Sequence, residues 1–317
     1  MWSYVIRRIF YNIPVYLAVV LFVMLALRVN DPVTNYLGKN ASEQEIETQR
    51  QSMGLDRPFY EQYFSFLGDL FTLSFDEESW GNKGVKVSTI LSDAIVPSLS
   101  FTIPALIITS LISTCVGLFC ASFRGRWPDR LVAITAVLGM SVSLLVYTIL
   151  GQYFGAFWLT VETGWDLFAI GGYERSLQAW PYYCLLPIII TTTVALGYDA
   201  RFYRAVMVEE TNKNYITTAR AKGASKTRVM FGHLLKNAMI PITTHIAATI
   251  PFLITGSLVI EQFFTIPGMG LTLIQAVQNN DFPIVQAFTA VLAGIYIITN
   301  ILTDVVYAWL DPRIRLT

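Results

Sequence analysis

Charge is scarce in this chain, and the scarcity is organised. Only 14% of its 317 residues are Asp, Glu, Lys or Arg, against about a quarter in an ordinary soluble domain. There are two histidines and three cysteines. No G-x-x-x-x-G-K-[ST] phosphate loop and no H-E-x-x-H zinc motif occurs. Cys115, Cys120 and Cys184 sit in apolar runs without metal-ligand spacing and read as packing residues. His233 and His245 fall in different compartments of the pattern described below. Neither a metal cluster nor a nucleophile–base pair is legible, which argues against an integral membrane enzyme.

What the chain has is apolar length. Hydrophobic residues make up 54% of it and its mean hydropathy is +0.52. Charges are absent from six windows: Ile9–Leu27, Ala94–Phe123, Leu131–Val161, Ser176–Tyr198, Asn237–Ile260 and Phe282–Thr303. About 20 residues of helix cross the hydrocarbon core of a bilayer, so the expectation is an all-α integral membrane protein with six transmembrane helices. The buried helices of a soluble protein rarely supply six such runs. Fifteen of the 22 Lys and Arg lie before the first window, in the second-to-third and fourth-to-fifth connections, and after the sixth. The positive-inside bias then predicts that both termini are cytoplasmic. The N-terminal run is too long for a signal-peptide core and lacks a small-x-small cleavage site, so it reads as a retained helix.

A long segment, about residues 29–97, is expected outside, between helices 1 and 2. It holds 11 of the 22 acidic residues, an outer charge compatible either with cationic substrates or partners or with simple solvation. Ser42 and Glu45 have capping-box spacing and Gly54 stands at a stop, predicting a short helix over 43–52. A second helix starts after Pro58, with Phe59, Tyr63, Phe64, Leu67 and Leu70 at three- and four-residue steps. It is suited either to a membrane surface or to packing on neighbouring helices. Between the fifth and sixth windows, Pro267-Gly268-x-Gly270 predicts a turn near membrane depth. Broken backbone survives there only when buried in protein or lining water. That makes Glu261, Phe264, Pro267, Gly268 and Gly270 a candidate outer gate.

The connection at 204–240, with Arg201 just before it, carries eight of the 22 Lys and Arg. Thr217-Thr-Ala-Arg-Ala-Lys222 is helix-compatible and rich in small residues, Gly223 is placed to stop it in a left-handed turn, and Ser225 is placed to cap a second helix. The windows themselves contain no carboxylate, whereas ion-coupled pumps place such groups deep in their helices. A transporter of this composition needs work supplied by another subunit. An energy-independent channel or secondary transporter remains the alternative reading.

The segment from Asn214 to Ser225 resembles the coupling loop of binding-protein-dependent ABC importer permeases, whose general pattern is E-A-A-x-x-x-G. Ala219 and Gly223 match it, while Thr217 and Thr218 replace the Glu and the first Ala. The A-R-A-K-G form is similar to the dipeptide, oligopeptide and nickel branch. Further matches run through the chain in order: Gly54-Leu-Asp-Arg-Pro58, Gly68-Asp-Leu70, Arg201-x-x-Arg204, Glu209, Gly256-Ser-x-x-x-Glu261, Pro267-Gly-Met-Gly270, Asp304, Tyr307 and Asp311-Pro-Arg313.

The resemblance implies a multi-pass permease in a bacterial cell (inner) membrane, forming half of a path for peptides or similar small solutes. It implies a second related permease subunit, two ATP-binding-cassette ATPase subunits and an extracytoplasmic solute-binding protein. The chain itself would bind no cofactor or nucleic acid and hydrolyse nothing, ATP acting through the partners. Tyr215, Thr217, Thr218, Ala219, Arg220, Ala221, Lys222, Gly223, Ala224 and Ser225 would make the ATPase-coupling loop. The expected organisation is a first transmembrane helix (1–28), an external segment (29–97) and a core of five transmembrane helices (98–317) holding the coupling loop.

Overall fold

The structure, a computed structural model, describes residues 2–29, 33, 37, 42–72, 74–254 and 258–310. Of the motifs above, Gly256, Ser257 and Asp311 to Arg313 lie outside the described residues. The chain is all-helical, 79% helix with no strand among the described residues. In order the helices are α1 (Trp2–Ala26), α2 (Glu43–Ser52), α3 (Phe59–Thr72), α4 (Val87–Ser122), α5 (Trp127–Met140), α6 (Leu144–Gly151), α7 (Leu159–Thr163), α8 (Trp180–Glu210), α9 (Asn214–Ala221), α10 (Lys236–Ile254), α11 (Leu258–Phe264), α12 (Met269–Gln278) and α13 (Phe282–Leu310). Two π-helical segments, Gln152–Trp158 and Arg228–Leu235, join α6 to α7 and lead into α10.

Five of the described helices are long and apolar enough to cross a membrane, six if the broken pair α11 and α12 counts as one span. α10, with 19 residues and no Asp, Glu, Lys or Arg after Lys236, occupies most of the fifth window. The third window departs from expectation. Its continuous apolar run is two helices, because the backbone turns at Ser141–Ser143 and Ser143 restarts the chain by accepting the Val146 N–H at 3.4 Å. A hydroxyl that caps a helix is invisible to a count of absent charges. The spanning element there is Leu144–Thr163.

The chain separates into two compact units, residues 1–97 with 267–301, and residues 98–266 with 302–317. In the first, α1 packs on α13: the Tyr16 hydroxyl donates to the Ala290 carbonyl at 2.9 Å, and Gly294 leaves room for that ring. Tyr63 of α3 donates to the Leu17 carbonyl at 3.0 Å, so one face of the amphipathic helix packs inward on Phe66, Leu67 and Leu70 while Phe64 and Phe71 stay exposed. α2 has the predicted capping box between Ser42 and Glu45, and Gly54 ends it at φ +63°.

In the second unit, α8 is the central helix. Gly151 and Gly155, four residues apart, form a small-residue face across from it. A Cβ at Gly151 would come within 2.5 Å of the Ile190 side chain and one at Gly155 within 2.8 Å of Leu186, so a larger residue at either would push those side-chain ends aside. One cluster of buried side chains gathers Phe101, Ala156, Cys184, Leu186, Ile188, Ile260 and Phe264. Another gathers Tyr203, Met207, Ile216, Ala219, Val229, Leu234 and Ile242. The second core lies beneath the loop discussed next.

Candidate functional site

α8 ends at Glu210, three residues turn, and α9 follows over Asn214–Ala221. α9 is short, and its burial explains why it forms: Ile216 and Ala219, three positions apart, enter the Tyr203–Leu234 core, while Thr217, Thr218, Arg220 and Ala221 face out. An isolated eight-residue helix is marginal in water, so this packing holds it in place. Its C-terminus closes in a Schellman motif, with the Ala224 N–H on the Ala219 carbonyl at 3.1 Å and the Gly223 N–H on Arg220 at 2.9 Å. Gly223 takes φ +80°, the left-handed region, and an added Cβ would meet nothing within 4 Å. The need for glycine is therefore conformational and not steric crowding. Ser225 then accepts the Arg228 N–H at 3.3 Å and starts the next helix. That helix runs unbroken from the π segment through Pro241, which lies inside α10.

The base of this corner is tied down. The Arg204 guanidinium holds Asp129 with two nitrogens, Nε at 2.5 Å and Nη2 at 2.9 Å. Asp129 is 2% exposed and also accepts the Gly125 N–H at 3.0 Å. The Arg204 hydrogen bonds hold its carboxyl below the usual carboxylate range, against the opposing effect of burial. From the same α4–α5 turn, Arg124 donates to Thr211 and Asn212 at 3.0 and 2.5 Å. Lys226, beyond the corner, reaches the Ser122 carbonyl at 3.3 Å and lies over the Phe123 ring. Tyr215 donates to the Glu210 carboxylate, and burial followed by that bond raises its hydroxyl pKa. Lys213 pairs with Glu209 at 2.9 Å.

The structure thus brings the predicted loop residues together at one corner with a fixed root: Ala219 is buried, Tyr215 and Ala224 are half-buried, and the others are exposed. Beside it a cavity of about 520 Å³ is lined by Tyr215, Thr218, Ala219, Lys222, Gly223, Ala224, Arg228 and His233. Phe231, 58% exposed, extends an apolar side chain on the exit helix. Sequence reading missed Asp129, Arg124 and Lys226. Arg124 and Asp129 had one signal, their position at the edges of charge-free runs, and Lys226 had none beyond its place in the basic connection.

The candidate gate is more divided. Glu261 is fully buried and accepts from the Ser98 hydroxyl at 2.6 Å. Phe264 is buried in the Phe101–Ile260 core. Gly268 and Gly270 are buried, and Pro267 is exposed. The break exists, but its left-handed residue is Thr265 at φ +52°, not a glycine. Gly268 is extended and precedes α12. Neighbouring backbone steadies the end of α11: the Gly172 N–H donates to the Phe264 carbonyl at 2.7 Å, and the Gln152 amide donates to Phe263 and Ile170, both at 2.8 Å.

Comparison with known proteins gives the family. The family described as binding-protein-dependent transport system inner membrane component matches residues 113–316, and the N-terminal component of such systems matches residues 1–82. The chain is 31% identical to a probable peptide ABC transporter permease of Sinorhizobium fredii over 320 residues, 99% of this chain and all of the relative. It is 33% identical over 318 residues to glutathione transport system permease proteins of Escherichia coli (strain K12) and Shigella boydii, covering 99% of each. With five helices able to span a membrane, six if the broken pair counts as one, and matches along nearly its whole length, the chain belongs to the binding-protein-dependent ABC transporter permeases of the bacterial inner membrane.

Proposed function

We propose that this permease forms half of a translocation path for peptides or similar small solutes, and that ATP-driven motion enters it at the Gly223 corner. As a family, such permeases work with ATPases and a substrate-binding protein. The finer reading is one second permease subunit, two ATPase subunits of which one docks at Tyr215 to Ser225 of this chain, and a binding protein that delivers solute outside. Both termini and the 204–240 loop lie in the cytoplasm, in keeping with the fifteen basic residues on that side. Residues 29–97 lie outside, and Glu261 to Gly270 forms part of the outer gate. Peptide as solute rests on the names of the relatives.

The observation that supports this reading best is the rooted corner. α9 presents small and basic side chains outward while its inner face is packed and its flanks are bonded to α8 and the α4–α5 turn. A partner pushing on such a surface moves the helices behind it, whereas a loose loop would absorb the displacement.

The test is reconstitution of the co-encoded subunits in liposomes, with a cysteine at Thr217 and a second in the ATPase groove. ATP-dependent uptake of a di- or tripeptide and a disulfide between the two cysteines are expected. Solute movement with no ATPase present would instead support the channel alternative and overturn the proposal.

A further inference from the structure

α3 presents three faces. Phe66, Leu67 and Leu70 are buried, and Tyr63 beside them bonds to α1. Glu61, Ser65, Gly68 and Thr72 are exposed along a second, polar edge. Tyr60, Phe64 and Phe71 form a third edge and are 60%, 67% and 78% exposed. At 3.6 residues per turn these three rings fall within about 40° of one another around the helix. An exposed aromatic edge beside an exposed polar edge is the pattern of a helix held between hydrocarbon and water.

Two contacts give the depth of this helix. The Tyr63 hydroxyl donates to the Leu17 carbonyl at 3.0 Å. Leu17 stands midway along the apolar span of α1, nine residues after Arg8 and nine before Ala26. At 1.5 Å per residue, about 13–14 Å of helix separates it from either end, and half of the hydrocarbon core is about 15 Å thick. A tyrosine side chain is too short to bridge that distance from above, so the Tyr63 backbone itself lies within the leaflet. One turn earlier, Phe59 lies 4.9 Å from the Arg28 guanidinium, which also donates to Gln62. Arg28 closes the charge-free run of α1, the position at which a cation reaches the headgroups. The first turn of α3 is thus at headgroup level and Tyr63 is below it.

The surroundings decide which edge meets lipid. A cavity of about 670 Å³ is walled by α2, α3, the end of α1, the hairpin at 75–87 and the start of α13. Glu61, Gln62 and Ser65 line it with Arg28, Glu77 and Lys83, whereas Tyr60, Phe64 and Phe71 do not. Charges of both signs in that lining need water. On α1, Val15, Val19, Phe22 and Leu25 recur at three- and four-residue steps and are exposed within the span, so the helix on which α3 packs already carries a lipid-facing stripe.

We propose that α3 is sunk in the leaflet on the side of the 29–97 segment, with Tyr60, Phe64 and Phe71 among phospholipid acyl chains and Glu61 and Ser65 toward the wet cavity. α3 is then the wall between that cavity and the lipid. Phe64 follows Tyr63 directly and shares its depth, out of reach of a soluble partner approaching from water. The helix holds this place whichever solute the permease carries.

The test uses the full transporter, without substitutions, in vesicles of phosphatidylethanolamine and phosphatidylglycerol. One sample includes a phospholipid with a diazirine on its acyl chain, and another receives a water-soluble diazirine. Adducts formed on illumination are mapped by mass spectrometry. The ratio of the two adducts at each residue removes differences in side-chain reactivity. At Tyr60, Phe64 and Phe71 the ratio of acyl-chain to aqueous adduct is expected to match that at Phe22 and to exceed that at Glu61 and Ser65 several-fold. Equal ratios at Phe64 and Ser65 would put the aromatic edge in water and overturn the proposal. Adducts from neither reagent, or aqueous adducts at Phe64 that vanish when the binding protein is added, would show a protein covering the edge and overturn it as well.

Discussion

Arg204 and Asp129 meet side-on in a two-pronged ion pair, with Nε 2.5 Å from Oδ1 and Nη2 2.9 Å from Oδ2, and the carboxylate almost wholly buried. The pair pins α5 to α8 just under two turns, at about 3.6 residues each, before α8 ends at Glu210 and the chain enters the Gly223 corner. Its residues are 75 positions apart, so it is a decision of the tertiary fold.

Breaking a buried pair from one side leaves an uncompensated charge, at a cost of about 3–5 kcal/mol. Asp129→Ala should therefore lower the thermal midpoint of the detergent-solubilised protein sharply, and Asp129→Asn less so. The pH dependence has a defined sign. Because the folded carboxyl is depressed, its contribution is present above the unfolded value of about 3.9 and disappears as pH falls through the lower folded value. The midpoint gap between wild type and Asp129→Asn should stay constant near neutrality and narrow below about pH 4. A gap that widens on acidification would contradict the pairing.

Gly223 should respond to backbone preference and not to size. With φ at +80° and nothing within 4 Å of an added Cβ, the penalty for a side chain is the left-handed conformation, about 1–2 kcal/mol for an ordinary residue. Asn tolerates this region best and β-branched residues worst. Uptake per ATP hydrolysed should thus fall in the order Gly, Asn, Ala, Val, in transporters that assemble to equal levels. Val performing as well as Gly would dissociate the corner from coupling.

Thr265 gives the converse case. It is a β-branched residue in the left-handed region at φ +52°, a conformation that stores about 1 kcal/mol or more. Thr265→Gly should hold or raise the thermal midpoint, whereas Gly223→Thr lowers it. Calorimetry on both variants makes the comparison.

Asp281 should control the order of the hairpin at 79–82. Asp281→Ala removes the acceptor for one hydroxyl and two backbone N–H groups, each worth about 1–3 kcal/mol when left buried and unpaired. Amide exchange at Trp80 and Gly81 should accelerate by more than tenfold while α13 remains protected. Gly81→Ala should weaken the same contact, since its Cβ would stand 3.1 Å from the Asp281 Oδ2. Unchanged exchange in both variants would show that the hairpin is held by other contacts.

The sequence by itself determined the elements whose cause is local. Hydrocarbon length and absent charge marked the apolar windows, because a charge within them has nowhere to be solvated. Capping chemistry placed the helix at Glu43–Ser52, and the run from Ala219 to Ser225 specified a helix, a left-handed glycine and a new cap, since the hydrogen bonds involved span at most five residues. The turn inside the third window escaped because a serine cap carries no charge.

Tertiary structure alone decided which polar groups meet across sequence. Ser98 reaches Glu261 over 163 positions and Ser79 reaches Asp281 over 202, and neither pairing leaves any periodicity to read. The same holds for the cavity lined by Arg28 and Glu77, whose wall comes from four separate helices and a hairpin. Local hydrogen bonding and solvation act along the chain and are written in its order, whereas burial selects partners by proximity in three dimensions.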